Sequence, residues 1–401
     1  MPTAETTPIA VEAPRLQDAR AVPGILQVIP ELDAGGAERS CVEVATAVAR
    51  AGWRSYVATT GGRLAEELAA AGVGVLLMNT GSKNPFIMAE NIGRFRRLIR
   101  AHAIHIVHAR SRAPAWSARA AARAEGVRFV TTYHGKVHDR PWWKIRYNSV
   151  MARADAVIAN SEFTAQRILT VHGVQQGRLH TVPRGFGLDR FDPARVTREA
   201  IARQRAAWGV AERAPLVLLP ARLTRWKGPL LLIEAAARMA APVHLVLAGD
   251  HQGRDEFRRE VEAAIAGRGL GARVTLAGHV ADMATAFAAA DIVVSASLDP
   301  EPFGRTTVEA QAMGRCVVAP DHGGAREQVV TAPEDARTGW LFAPGEAASL
   351  AAVLDTVLAL PPEARAAIGA RGRAHAMARF TSQAMCAATL AIYRDLLWGK
   401  P

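Results

Sequence analysis

Short apolar runs alternate with longer segments of helical periodicity over most of the chain. Amphipathic segments such as Glu38–Ala51 and Arg254–Ala266 lie between the runs and predict helices. This alternation is typical of parallel sheets covered by helices on both faces, and thirteen strands are too many for one sheet. The pattern therefore predicts two α/β domains. The predicted strands are Ile25–Ile29, Ser55–Thr59, Val75–Met78, Ile104–His108, Phe129–Tyr133, Ala156–Ala159, His180–Pro183, Leu216–Pro220, His244–Ala248, Val274–Ala277, Ile292–Ala296, Val317–Ala319 and Trp340–Phe342.

The predicted boundary between the domains lies in the charged stretch from Asp189 to Ala214, which follows a turn-rich segment. The first residues are rich in Thr, Ala, Pro and Glu and lack an apolar centre, so they predict a disordered tail rather than a signal peptide. The last residues form one amphipathic helical pattern. The expected division is a tail at 1–22, a first Rossmann-like domain at 23–198, a second at 199–380, and a final helix at 381–401.

Composition and charge narrow the functional classes. Half of the chain is apolar and 21% is charged, which is typical of a globular protein, and no apolar run approaches the ~20 residues needed to cross a bilayer. Three scattered cysteines predict packing residues and a reducing, cytoplasmic compartment. Residues 1–200 carry 27 Lys and Arg against 17 Asp and Glu, a net +10, whereas residues 201–401 carry 22 against 20, a net +2. The basic first half indicates an anionic partner. The alternative is an Arg-rich genome bias, which would produce the same excess of positive charge.

Two carboxylates lie eight positions apart in Glu301-Pro-Phe-Gly-Arg-Thr-Thr-Val-Glu309. Glu301 falls in a Pro/Gly turn after a predicted strand, and Glu309 falls in a predicted helix, Thr306–Met313. Ligands of parallel sheets sit outside the carboxyl ends of the strands, where this turn lies. Carboxylates accept paired hydrogen bonds from a vicinal diol, as in a sugar or a ribose. A solvated loop Glu and a helix Glu near its N-terminus are the alternative interpretation.

A cationic loop follows the first predicted strand of the second domain. It carries Arg222, Arg225 and Lys227, and Gly228 precedes a helix that begins near Pro229. A guanidinium presents a planar fork to phosphate oxygens and an ammonium presents a mobile charge, which together suit a diphosphate. Basic loop residues are more often only solvated.

Two glycine-containing turns in the first domain are further candidates. Gly35 and Gly36 come between the first strand and a helix, where backbone N–H groups form an anion site. His134 precedes Gly135 at the end of a strand and has a side chain that can donate or accept a proton near neutral pH. A plain turn and a structurally satisfied histidine are the respective alternatives. His105 and His108 are weaker candidates for the ligand-binding cleft that His134 is expected to face. His322 is expected to be a surface loop residue.

Taken together, these motifs resemble the retaining glycosyltransferases of family 4, whose GT-B fold has two Rossmann-like domains facing a cleft. The carriers are the Glu-x7-Glu element with Phe303-Gly304, the Arg222-x4-Lys227-Gly228 element, and Gly-Gly-Ala-Glu-Arg at 35–39. They occur in the family's order and span nearly the whole chain beyond the tail. The resemblance also implies that the last helix packs back on the first domain.

The resemblance implies a role for each matching residue. Glu301 and His134 contact the donor sugar, Glu309 holds the ribose hydroxyls, and Arg222 and Lys227 stabilise the departing diphosphate. Arg305-Thr306 departs from the family's usual small apolar residue and Pro, which leaves the donor's identity open, because Arg305 can reach a phosphate or an acidic sugar. The implied catalytic and donor-binding set is Gly35, Gly36, His134, Arg222, Lys227, His279, Val280, Glu301, Phe303, Gly304, Arg305, Thr306 and Glu309.

The expected reaction moves a hexosyl group from a UDP- or GDP-sugar to a glycan or glycolipid with retention, in bacterial lipopolysaccharide or other surface polysaccharide synthesis. No Asp-x-Asp metal motif occurs, so we expect no metal and no cofactor besides the donor substrate. Trp142 and Trp143 lie among cationic residues and indicate contact with an acceptor or with an anionic membrane at its cytoplasmic face. A solvated helix with a packed apolar face is the alternative. We expect no nucleic acid partner. A nucleotide-sugar epimerase and a non-catalytic carbohydrate-binding protein remain alternatives.

Overall fold

The computed structural model describes residues 22–33, 35–211 and 214–399, so the predicted tail lies almost wholly outside the described residues. Each predicted apolar run coincides with or overlaps a parallel strand, and the predicted pair of Rossmann-like sheets is confirmed. The first sheet contains β1 Gly24–Val28, β2 Arg54–Thr59, β3 Gly74–Leu77, β4 Ile106–Ala109, β5 Arg128–Tyr133, β6 Ala156–Ala159 and β7 Leu179–Thr181. The second contains β8 Leu216–Leu219, β9 His244–Ala248, β10 Val274–Gly278, β11 Ile292–Val294, β12 Cys316–Pro320 and β13 Trp340–Phe342.

Helices follow most of the strands, as amphipathic segments between buried strands require. Central strands such as β1, β4 and β8 are buried along their whole length, because helices cover both sheet faces. The helices are α1 Gly36–Arg50, α2 Ala65–Ala70, α3 Pro85–Ala101, α4 Arg112–Ala124, α5 Trp142–Asn148, α6 Glu162–His172, α7 Arg198–Ala207, α8 Pro229–Arg238, α9 Asp255–Gly267, α10 Met283–Ala289, α11 Arg305–Ala312, α12 Ala325–Gln328, α13 Ala347–Ala359, α14 Pro362–Arg379 and α15 Ser382–Trp398.

Each sheet has a point where the strand order reverses. The orders are β3-β2-β1-β4-β5-β6-β7 and β10-β9-β8-β11-β12-β13. The reversals fall between β1 and β4 in the first sheet and between β8 and β11 in the second. Loops that leave the two strands at such a point turn to opposite faces and open a crevice at the carboxyl edge, where ligands of doubly wound sheets bind.

The chain divides into two compact units, each with its own sheet. The first unit comprises Met1–Asn160, Thr164–Val182 and Met385–Pro401, and the second comprises Ser161–Phe163 and Pro183–Ala384. The main crossing between the units comes directly after β7, earlier than the expected position at 198/199. The stretch 183–198 belongs to the second unit because Phe186 and Phe191 are buried in its core.

The last helix completes the core of the first unit. Met385 and Leu390 of α15 belong to the same buried cluster as Ile25 and Ile106 of the sheet. The buried Tyr393 hydroxyl lies 2.5 Å from Nδ1 of His108, whose Nε2 lies 2.7 Å from the Thr132 hydroxyl. Burial, and secondarily the charge of Arg110, hold the pKa of His108 well below its usual value, so this ring is neutral. His108 is therefore a structural residue and not a cleft residue.

No single helix in the described ranges is long and apolar enough to cross a membrane. The consecutive helices α13 and α14 meet that criterion only as a pair, by length and composition, and they are bent by 112° relative to each other. Leu350 and Leu354 of α13 are fully buried in the core of the second unit. Their apolar character is accounted for by packing within this unit.

Candidate functional site

The loop between β8 and α8 is fixed by a glycine in the second unit. Residues Arg225–Lys227 form one 3-10 turn, and Gly228 follows with a φ of +71°, directly before α8. A Cβ on Gly228 would lie 1.9 Å from the carbonyl oxygen of Ala296, just beyond β11. The Leu298 amide also donates a hydrogen bond to the Trp226 carbonyl at 2.8 Å. The loops after β8 and β11 are thus held against each other at the switch point of the sheet.

This contact brings the predicted cation and carboxylate together. Lys227 Nζ lies 2.7 Å from Glu301 Oε1, and the two side chains are only 15% and 17% exposed. The Ser297 hydroxyl donates a second hydrogen bond to the same carboxylate oxygen. A largely buried ion pair keeps both partners in one geometry, because separating either of them leaves an uncompensated charge. Lys227 is therefore held in place before any ligand arrives.

Arg222 and Arg225 of the same loop differ in their surroundings. Arg225 donates two hydrogen bonds to the carboxylate of Glu260, at 2.8 and 2.5 Å, and its guanidinium stacks over the ring of Phe257. Arg222 is exposed, and its side chain has no hydrogen-bond or ion-pair partner among the residues that the structure describes. Arg222 is the guanidinium of this loop that remains available to a phosphate.

The Glu301 turn rests on the glycine turn after β12. The Gly324 amide donates to the Glu301 carbonyl at 2.9 Å, and a Cβ on Gly323 would lie 2.6 Å from that carbonyl oxygen. Phe303 is 2% exposed and packs in the core, while Gly304 has a φ of +85° and precedes α11. These contacts fix the backbone from which Glu301 projects. Phe303 and Gly304 thus support the turn through their own packing and conformation.

Glu309 is paired within its own helix. Arg305 Nε donates to Glu309 Oε1 at 3.1 Å, and both side chains are only 13% exposed. Thr306 is half-buried at the start of the same helix. Because Arg305 turns toward Glu309, it orients the carboxylate that was predicted to hold a ribose, a role that the sequence pattern did not indicate.

The loop after β12 also contributes a histidine to the cavity beside Glu301. Ser295, Glu301, Gly304, Thr307 and His322 are among its lining residues. Both ring nitrogens of His322 are buried and have no hydrogen-bond partner within the described part of the chain. His322 thus lies in a loop, as expected, but its ring nitrogens are buried rather than exposed at the surface. His322 can donate or accept a hydrogen bond at a ligand in this cavity.

His279 and Val280 follow β10, which is the edge strand on one side of this sheet. His279 is exposed and Val280 is half-buried against the second unit's core. They lie beyond the same carboxyl edge as the loops after β8 and β11. This position leaves their backbone groups open to a ligand.

The first unit has its own cavity, of about 280 Å³, at the switch point between β1 and β4. His134 and Gly135 line it from the end of β5, and Glu38 lines it from the first turn of α1. Gly35 and Gly36 lie directly before that turn, and the Glu38 carboxylate folds back over Gly35. His105 lies before β4, at the opposite end of the strand, and accepts a hydrogen bond from the Gly24 amide. The candidate role for His105 is therefore wrong.

Trp142 and Trp143 begin α5 and are 74% and 55% exposed, which excludes the packed-helix interpretation for the pair. Lys144 lies over the Trp143 ring at 5.7 Å, and Arg140 and Arg146 are exposed nearby in the chain. This surface is aromatic and cationic.

In the ranges that the structure covers, no group of three or more His, Cys, Asp or Glu side chains is placed to hold a metal ion.

Comparisons with known proteins identify the family and the fold class. The family model for Glycosyltransferase Family 4 matches residues 34–190, and that for Glycosyl transferases group 1 matches residues 200–375. A solved glycosyltransferase from Rickettsia africae ESF-5 is 33% identical, with a TM-score of 0.87 over 94% of this chain and all of that one. The chain belongs to the GT-B glycosyltransferases. The family and the fold class predicted from sequence are thereby confirmed.

Other relatives of this glycosyltransferase differ in sequence identity and in the share of the chain that aligns with them. Anabaena Alr3699/HepE, solved in complex with UDP and glucose, is 26% identical with a TM-score of 0.81 over 93% of this chain. D-inositol 3-phosphate glycosyltransferases from Geodermatophilus obscurus and Xylanimonas cellulosilytica are 37% and 34% identical over 60% and 63% of this chain. The chain spans only 53% and 60% of the length of these two curated relatives.

Proposed function

We propose that this glycosyltransferase moves a hexosyl group from a UDP-sugar to a hydroxyl group of a bacterial glycan or glycolipid, with retention of anomeric configuration. The observation that carries the proposal is the buried Lys227–Glu301 pair, which lies at the sheet's switch point beside the available Arg222. UDP is favoured over GDP because the Anabaena relative was solved with UDP. A phosphorylated polyol is the second acceptor class, because the curated relatives are named for inositol 3-phosphate.

The proposed reaction is a front-face substitution. The bond between the anomeric carbon and the diphosphate oxygen breaks while a bond to the acceptor oxygen forms on the same face. The acceptor proton passes to the departing phosphate oxygen. Lys227 and Arg222 stabilise the negative charge that develops on the departing diphosphate. Fixed cations accelerate the reaction at this bond-breaking step. Glu301 contacts the sugar hydroxyls and keeps Lys227 in place; His134 contacts the transferred sugar.

Glu309 is assigned to the ribose diol of the donor, with Arg305 orienting its carboxylate. We expect Glu309→Gln to raise the Kd for UDP about tenfold or more, because a charge-assisted hydrogen-bond acceptor is replaced by a neutral one. Calorimetric titration of the purified protein with UDP and GDP measures this and compares the two bases. Glu260→Gln is the matched control, since Glu260 also pairs with an arginine, at the surface. An unchanged UDP affinity in Glu309→Gln contradicts the assignment.

Activity should not depend on a divalent ion, because Lys227 and Arg222 supply the positive charge that a metal supplies in other glycosyltransferases. We expect the initial rate of UDP release, with acceptor present, to be the same in excess EDTA and in buffer with magnesium. Activity that is abolished by EDTA and restored by magnesium would refute this charge assignment.

The surface around Trp142 and Trp143 is proposed to contact an anionic membrane at its cytoplasmic face. Exposed aromatic rings beside cations are suited to the headgroup region. We expect Trp142→Ala/Trp143→Ala to reduce cosedimentation with vesicles containing phosphatidylglycerol. Phe86→Ala, at another exposed aromatic residue of the first unit, is the control. Equal cosedimentation of all three proteins would remove the membrane contact from the proposal.

A further inference from the structure

Two arginines border the cavity of the first unit without a counter-ion. Arg110 is 5% exposed; its Nε donates to Gln27 Oε1 at 2.7 Å, while its Nη2 has no hydrogen-bond partner among the described residues. Arg112, at the first position of α4, donates from Nη2 to the Lys136 carbonyl at 2.5 Å, and its buried Nε has no partner. Neither guanidinium forms an ion pair within the described ranges.

A buried guanidinium without a counter-charge is costly, because it has lost water without gaining an opposite charge. Burial lowers the pKa of Arg112, and the tyrosine hydroxyls of Tyr133 and Tyr147 are the groups that act against this shift. Glu31 and Glu38 also line the cavity, but neither forms an ion pair with Arg110 or Arg112. No carboxylate of the described residues therefore neutralises Arg110 or Arg112, although the buried Tyr393 hydroxyl hydrogen-bonds with Arg110.

The surrounding groups are also suited to an oxyanion. The first turns of α1 and α4, helices of 15 and 13 residues, both border the cavity, and helix N-termini favour negative charge. Tyr133 also lines the cavity, and its hydroxyl is buried without a hydrogen-bond partner in the described part of the chain. Guanidinium and hydroxyl groups are donors for phosphate or carboxylate oxygens.

We propose that the acceptor carries a phosphate or carboxylate group, and that Arg110 and Arg112 bind this group in the cavity of the first unit. The inference rests on the proposed function and adds the chemical class of its acceptor. The diphosphate of the donor is the other source of such oxygens. It is disfavoured because Arg222 and Lys227 of the second unit already supply cations for it.

The test separates these two sources with inorganic phosphate as the probe. The purified protein is first saturated with UDP, so that the donor's phosphate positions are occupied, and is then titrated calorimetrically with phosphate at constant ionic strength. Acetate in a parallel titration tests a carboxylate. We expect phosphate to bind the UDP-loaded protein, and Arg112→Gln to weaken it about tenfold or more, as expected for one lost charge-assisted hydrogen bond. The Kd for UDP should stay unchanged.

Arg123→Gln is the matched control, because Arg123 is an exposed arginine of the same helix and does not line the cavity. If Arg112→Gln folds poorly by circular dichroism, Arg112→Lys keeps the charge but removes the planar fork and should still weaken phosphate binding. Equal affinity of the wild type and the Arg112 variants for the anion that binds, or binding of neither phosphate nor acetate, overturns the proposal. A UDP Kd that rises in the Arg112 variants assigns the arginines to the donor and also overturns it. Failure of the wild type to bind UDP contradicts the proposed donor, while phosphate titration without UDP still tests the arginines.

Discussion

Replacing Lys227 with alanine is expected to lower kcat by about 10²–10³, the loss typical of removing one fixed group that stabilises transition-state charge. The substitution removes the cation that is proposed to face the departing diphosphate. It also leaves the Glu301 carboxylate, 17% exposed, with the Ser297 hydroxyl as its one remaining side-chain partner among the described residues. Steady-state kinetics at saturating UDP-sugar separate this loss from weaker donor binding.

Arg225→Ala provides the comparison within the same loop. It removes an equal charge two residues away, but Arg225 is committed to Glu260 at the surface. We expect its kcat to stay close to that of the wild type, within about twofold, because exposed ion pairs contribute little. Similar losses in the two variants would mean that general loop charge matters rather than the position of Lys227.

Gly228→Ala is expected to destabilise the protein by about 3 kcal/mol or more, and to reduce activity by displacing Lys227. A Cβ at this position would lie 1.9 Å from the Ala296 carbonyl oxygen, so the loops after β8 and β11 would have to separate. The left-handed backbone, with a φ of +71°, adds about 1–2 kcal/mol for any residue with a side chain. Denaturant unfolding monitored by circular dichroism measures the change.

Gly209→Ala isolates the backbone contribution. Gly209 has nearly the same φ, +70°, but none of the described residues lies within 4 Å of the position that a Cβ would take. We expect this variant to lose only about 1–2 kcal/mol. If both variants lose the same amount, the contact with Ala296 does not hold the two loops together.

The fold was largely predictable because buried parallel strands leave a strong pattern in the sequence. Runs such as Leu216–Leu219 are apolar throughout, so their positions follow from hydrophobicity alone. The domain boundary was less predictable. The stretch 183–198 looks like a charged linker, yet Phe186 and Phe191 anchor it in the second unit's core. Two buried rings among polar neighbours do not produce a periodic signal.

The candidate site was predictable where its residues belong to short motifs that each lie within a single loop. Arg222, Lys227 and Glu301 all follow strands directly, and the parallel topology places such loops along one edge. Contacts that depend on tertiary packing were not visible. Nothing in the sequence indicates that Ser297 bonds to Glu301, that Arg305 faces Glu309, or that the ring nitrogens of His322 are buried. Arg110 and Arg112 were likewise indistinguishable from the many other arginines of the first half.

The position of α15 bears on how the nascent chain folds during translation. Strands β1–β7 leave the ribosome before the second sheet, but Met385, Leu390 and Tyr393, which fill their core, leave it after that sheet. A fragment that ends at Val182 would expose the apolar face that these side chains cover and would be prone to aggregate. The core of the first unit is thus completed only by a helix that is synthesised after the whole second sheet.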